Sequence, residues 1–318
     1  MGSLDPAGGD LWRSPIPRAQ GLAYRLCLNY SQQGVCNWAV SADDPNFLCK
    51  SCRLTRVIPN LSRPGYKEAW YRLEVAKRRL VYSLLSLHLP LANKFEDPEH
   101  GLTYEFLADI DMPWGTSVLT GHSNGVITIN VAEADDAERE KQRLHLHEPY
   151  RTLLGHFRHE AGHYYWDRLV KDSKRIDAFR QLFGDEREDY GEALNRHYQQ
   201  GVVEDWQQRF VSAYASAHPW EDWAETWAHY LHMTDALETA VACGLSLQPH
   251  RTDEPSLQTN ARGNSPDPFN RMINDWYPLT YMLNNLNRGL GLPDAYPFIL
   301  SPQAINKLRF VHETVTKV

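Results

Sequence analysis

The sequence predicts an α+β fold, mainly helical, with a small cysteine-bearing module near its N-terminal end. Three observations predict it. Apolar residues recur at helical spacing from about 66 to 88 and again through much of the chain after 149. Between about 101 and 131 the period shortens to two, as strands require. Four of the five cysteines fall between residues 27 and 52.

Composition narrows the function classes. A hydrophobic fraction of 42% and a charged fraction of 23% in 318 residues are ordinary for a globular chain, long enough for one large domain plus a small one. The formal charge of −7 supplies no basic field for a nucleic acid, which argues against such a partner. No stretch approaches the ~20 apolar residues of a membrane span. The N-terminus lacks a basic region followed by an apolar run, so the expected compartment is the cytoplasm.

Residues 1–20, rich in Gly, Pro, Asp and Ala, read as a tail or linker. Residues 21–62 read as a zinc-ribbon domain. Cys49-Lys50-Ser51-Cys52 is a C-x-x-C knuckle whose short turn aims two thiolates at one point, and Cys27 and Cys36 can supply the other two. Four thiolates leave no open position, so this zinc would be structural. Pro59 to Gly65 is turn chemistry, and the large domain is expected over 63–318. Trp70, Leu73, Ala76, Leu80, Leu84 and Leu87 mark its first helix. Lys77, Arg78 and Arg79 read as a solvated face of that helix. Leu102, Tyr104 and Phe106 alternate as a strand, and Val126 to Val131 form a second after a Gly/Asn turn that contains His122. This second strand is a candidate edge for pairing with an extended substrate. Glu133 to Asp136 open a helical region with acids in its first turn.

A helix over about 149–171 carries His159-Glu160-Ala161-Gly162-His163. The two histidines are four apart, so on a helix both imidazoles reach one metal ion. Glu160, beside the first, can serve as general base toward a water that the metal activates. This is the zinc-protease signature. His156, one turn earlier, reads as support or packing. Further helices are expected at about 173–183 and 188–200, stopped by Gly184 and Gly201. Pro219 then fits the first turn of a helix to about 242. Asp267-Pro268 and Ser301-Pro302 begin two C-terminal helices, after a polar loop over 247–267. Cys243 reads as a buried thiol.

No third histidine follows at the spacing of the longer signature, where Trp166 and Leu169 stand. A carboxylate from the 219–242 helix is the alternative. Glu221 and Glu225 both qualify; Glu221 is favoured as ligand, with Glu225 orienting a ligand histidine, a task Asp222 or His229 could share. Tyr214 is the candidate oxyanion donor, and His218 its competitor.

Several longer stretches resemble one family: the zinc-binding metallopeptidases that carry an N-terminal zinc ribbon. They are Cys36-Asn37-Trp38, Leu48 to Arg53, Thr120-Gly121-His122, Glu133 to Asp136, Glu148 to Arg151 running into Gly155 to Glu160, Phe183 to Glu186, and Pro219 to Glu225. The resemblance implies a zincin-like fold and a peptidase. The order of Tyr214, Glu221 and Glu225 also resembles bacterial toxin zincins, in which the tyrosine assists catalysis and the first glutamate binds zinc. Members usually carry further cysteine pairs upstream, which this sequence lacks.

The leading expectation is a zinc-dependent peptidase with one catalytic and one structural Zn2+ and a peptide or protein substrate. The alternative is a catalytically inactive, zinc-folded adaptor that binds protein or nucleic acid. A third reading, a nucleic-acid-associated protease docked through its ribbon, is disfavoured by the acidic balance. An inactive adaptor has no need of Glu160.

Overall fold

The computed structural model describes residues 4–113, 116–145, 152–259 and 266–317. The chain divides into two compact units, Met1–Ser86 with Pro90–Gln142, and Leu87–Leu89 with Arg143–Val318. The fold is α+β with long helices, as expected from the periodicity.

The first unit begins with a four-stranded antiparallel sheet in chain order: β1 (Asp5–Gly8), β2 (Leu11–Arg13), β3 (Ala23–Leu26) and β4 (Ala39–Ser41). The segment expected as a tail therefore pairs with the ribbon: Trp12 and Arg13 register with Tyr24 and Ala23. Glycine and proline content hid two short strands joined by a turn at Gly9-Asp10. A single turn, α1 (Leu28–Ser31), follows Cys27. β5 (Thr55–Val57) leaves the ribbon, and α2 (Tyr66–Ser86) is the first long helix. β6 (Thr103–Leu107), β7 (Gly121–Ser123) and β8 (Val126–Asn130) complete a second sheet in the order β5-β6-β8-β7. The β7–β8 hairpin turns at Asn124-Gly125, both with positive φ, the pair that a tight hairpin turn prefers. α3 (Asp136–His145) closes this region.

Two expectations fail here. The Val126–Asn130 strand is no edge: β6 pairs with it in parallel on one side and β7 antiparallel on the other. Strand order is a property of the assembled sheet that proximity in sequence does not reveal. Lys77 and Arg78 are not solvated either; they are 0% and 4% exposed. Lys77 pairs with Glu74 at 2.8 Å, bonds Thr55 and lies over the rings of Tyr104 and Phe106. Arg78 donates to the Val35 carbonyl at 2.5 Å. Buried charges persist only when paired, and here the pairing ties the ribbon and β5 to α2.

The second unit is helical: α4 (Leu153–Leu169), α5 (Ile176–Phe183), α6 (Tyr190–Gln200), α7 (Trp206–Arg209), α8 (Pro219–Ala242), α9 (Pro268–Gly289) and α10 (Pro302–Val315), with a two-residue pairing of β9 (Ser246–Leu247) and β10 (Leu257–Gln258) inside the polar loop. The caps explain the boundaries. Thr152, Asp189, His218, Asp267 and Ser301 each accept a backbone N–H in the first turn that follows, and such caps are worth ~1 kcal/mol each. Residues 149–151, where the sequence starts the metal-site helix, lie outside the described residues. Gly184 and Gly201 end α5 and α6 at positive φ, as glycine allows. Cys243 is exposed just past α8, contrary to the buried thiol expected.

The core of this unit forms where α4 meets α8. Trp223 and Trp227 are fully buried, Tyr165 stacks on Trp227 at 4.9 Å, and Phe179, Phe183 and Phe310 gather round Trp223. Each such side chain contributes roughly 1.5–3 kcal/mol of burial. Arg158 and Asp235 form a buried ion pair at 2.6 Å across the two helices. Lys307 of α10 pairs with Asp222 at 2.6 Å and also donates to the Arg209 carbonyl.

Candidate metal centre

Gly162 explains why α4 and α8 approach so closely. A methyl group there would stand 2.9 Å from the Ala224 Cα and 3.2 Å from the Trp227 Cβ. The Trp223 indole N–H donates to the Gly162 carbonyl at 2.8 Å. The close approach sets the two histidines of α4 opposite the first turns of α8. We expect Gly162→Ala to destabilise the protein by about 1–3 kcal/mol, the usual cost of overpacking. A denaturant titration checks this; an unchanged midpoint would mean that the helices can part freely.

His159 and His163 lie one turn apart, and Glu221 meets them from α8. His159 Nε2 is 3.1 Å from His163 Nε2 and 3.0 Å from Glu221 Oε2; His163 Nε2 is 3.5 Å from Glu221 Oε1. Glu221 is 1% exposed, and its Oε2 has no hydrogen-bond partner. Burial alone would raise its carboxyl pKa; the two imidazoles beside it outweigh that and hold it well below the carboxylate range.

Glu225 fixes the tautomer. Its Oε1 lies 2.7 Å from His159 Nδ1, and Ser212 Oγ donates to its Oε2 at 2.6 Å. Burial pushes the Glu225 carboxyl up, but the hydrogen bond and charge of His159 prevail and hold it at about 2. An ionised carboxylate only accepts, so the proton sits on Nδ1. In the neutral ring the lone pair of Nε2 then faces His163 and Glu221. Three electron-pair donors crowded together need a cation among them. A proton serves when nothing else is present: burial lowers the His159 pKa, and the two carboxylates reverse this and raise it well above the ordinary value. A metal serves better. Nitrogen and oxygen ligands about 2.0–2.2 Å from one tetrahedral zinc lie about 3.3–3.6 Å apart, close to the spacings seen.

Glu160 sits beside His159, 8% exposed, and among the described residues its carboxylate has no hydrogen-bond partner. Tyr214 lies across the site, its ring 6.0 Å from that of His159. Burial, reinforced by the charge of Glu221, raises its phenol well above the ordinary value, so it keeps its proton.

The other sequence candidates fall elsewhere. His218 accepts the Trp220 N–H through Nδ1 at 3.1 Å, and its Nε2 donates to the Glu188 carbonyl at 3.2 Å. One nitrogen caps α8 and the other is taken up by the Glu188 carbonyl, which leaves no donor for an oxyanion. Asp222 faces Lys307, and His229 Nδ1 meets the Tyr296 hydroxyl at 2.7 Å; neither touches a ligand histidine. His156 lies half-buried in the first turn of α4. Two residues at the site carried no signal in the sequence, and a third, Trp220, stood there only within the Pro219–Glu225 stretch. Tyr190 donates to Glu221 Oε1 at 2.8 Å, Ser212 supports Glu225, and Trp220 packs on the His163 ring with centroids 3.9 Å apart.

In the first unit Cys27, Cys36, Cys49 and Cys52 converge, all buried and none in a disulfide, with their four sulfurs within 4.8 Å of one another. The Cys36–Cys49 sulfur distance is 3.7 Å; thiolates about 2.3 Å from a tetrahedral zinc lie about 3.8 Å apart. Backbone N–H groups of Cys49, Trp38 and Cys52 point at the sulfurs of Cys27, Cys36 and Cys49, and at Cys27 and Cys36 these bonds favour the ionised form. The residues fit a structural zinc.

A four-cysteine cluster in a small β module and a His-His-Glu cluster on packed helices define a zinc-metallopeptidase architecture. The chain belongs to the family described as "putative zinc-binding metallo-peptidase", whose model matches residues 66–314; a zinc-ribbon domain model matches residues 1–63. Its relatives include an uncharacterized protein of Mycobacterium bovis and two of Mycobacterium tuberculosis. Each is 46% identical over 295 residues, covering 92% of this chain and 83% of the relative. No solved structure matches. Among the described residues no helix is long and apolar enough to cross a membrane.

Proposed function

We propose that this chain is a zinc-dependent peptidase that hydrolyses peptide bonds, with the ribbon zinc structural. The observation that carries it is the convergence of His159 Nε2, His163 Nε2 and an unpartnered oxygen of buried Glu221 beside the carboxylate of Glu160. Bound there, zinc would polarise a carbonyl and bring a water's pKa close to neutrality. His159, His163 and Glu221 would hold the ion, and Glu225, backed by Ser212, would keep the His159 lone pair turned toward it. Glu160 takes the proton of the attacking water and passes it to the leaving amine. Tyr214, kept neutral by its surroundings, donates its hydroxyl hydrogen to the oxygen that gains charge. Four free thiols gathered for a metal suit a reducing compartment, which supports a cytoplasmic location.

Incubation with a mixed peptide library, read by mass spectrometry, tests this reading. We expect cleavage that a chelator stops and added zinc restores. An intact library in the presence of protein carrying both metals would favour the inactive adaptor.

A further inference from the structure

We propose that Tyr190 is a positioning residue of the metal centre, which holds one oxygen of Glu221 so that only the other is offered to the ion. The inference rests on the reading of His159, His163 and Glu221 as metal ligands.

The two oxygens of Glu221 are unlike. Oε1 accepts the Tyr190 hydroxyl at 2.8 Å, whereas Oε2, deep in the protein, has no hydrogen-bond partner and faces His159 Nε2 at 3.0 Å. A carboxylate can bind a cation through one oxygen or both. A strong neutral donor on Oε1 occupies one of its lone pairs and fixes the rotation of the carboxylate plane, which leaves Oε2 as the ligand atom. One-oxygen binding keeps the coordination number low and a position open for substrate and water.

Tyr190 is itself held firmly enough to do this. It is the first residue of α6, directly after Asp189, whose side chain accepts the Glu192 N–H at 2.8 Å and fixes where the helix begins. Its ring meets His218 edge-on at 5.3 Å and Trp220 at 5.8 Å. Trp220 also packs on His163, so one indole braces both a ligand histidine and the tyrosine on the ligand carboxylate. Tyr190 as a whole is nevertheless 39% exposed. Removing its hydroxyl therefore leaves the packing and the helix start in place.

The test is Tyr190→Phe, with the metal as probe. Zinc affinity at the histidine site, measured by competition with a chelator, should fall about 10–100-fold, while zinc in the four-cysteine cluster stays bound. With Co2+ in the histidine site and zinc kept in the cysteine cluster, the visible absorption of a low-coordinate ion should weaken in Tyr190→Phe, because Glu221 is then free to bind through both oxygens. An unchanged affinity or an unchanged spectrum would overturn the proposal. Glu221→Ala serves as the reference: if it kept its second zinc, the ligand assignment would fail, whatever Tyr190 does.

Discussion

Glu160→Gln should retain both zinc ions and lose cleavage by about 10²–10⁴-fold, the usual contribution of a positioned general base. The substitution changes no volume. Glu160 has no hydrogen-bond partner among the described residues, so an amide in its place breaks no existing contact. It stands next to His159 on a largely buried turn of α4, where it can reach a water without competing for the ion. Glutamine cannot take up the proton. Zinc content and library cleavage measured on one preparation separate the two effects. Cleavage at the unmodified rate would mean that another group is the base, and a lost zinc would mean that Glu160 supports the metal instead.

The second large effect belongs to the carboxylates of α8. Glu221→Ala removes the proposed ligand and should leave one zinc per chain, at the four-cysteine cluster. Glu225→Ala removes only the partner of His159 Nδ1. The ring can then turn or change tautomer, and affinity should fall about 10–100-fold rather than vanish. The two residues are one helical turn apart and chemically alike. What separates them is depth and aim: Glu221 is 1% exposed between both imidazoles, while Glu225 meets the far side of one. If Glu225→Ala emptied the site and Glu221→Ala merely weakened it, the roles would be exchanged.

Much of this site was legible in the sequence because its determinants are local. The His159–His163 spacing needs only a helix, and Pro219 with the acids behind it announces the start of α8. The cysteine knuckle is likewise a short-range signal. The residues that were missed depend on chain reversals. Tyr190 reaches Glu221 across 31 positions and Ser212 reaches Glu225 across 13, and neither is marked by spacing. The burial of Lys77 had a local hint in Glu74 one turn earlier, but its seat beneath Tyr104 and Phe106 comes from a strand beyond a loop. His218 was read by its chemistry, whereas its place before Pro219 makes it a cap.

Diffraction at the zinc absorption edge tests the metal centre most directly. Crystals of the unmodified protein should give two anomalous peaks per chain, one inside the four cysteines and one bound by His159 Nε2, His163 Nε2 and a single oxygen of Glu221. A lone peak at the cysteines, or a second peak bound by Glu225 in place of Glu221, would contradict it.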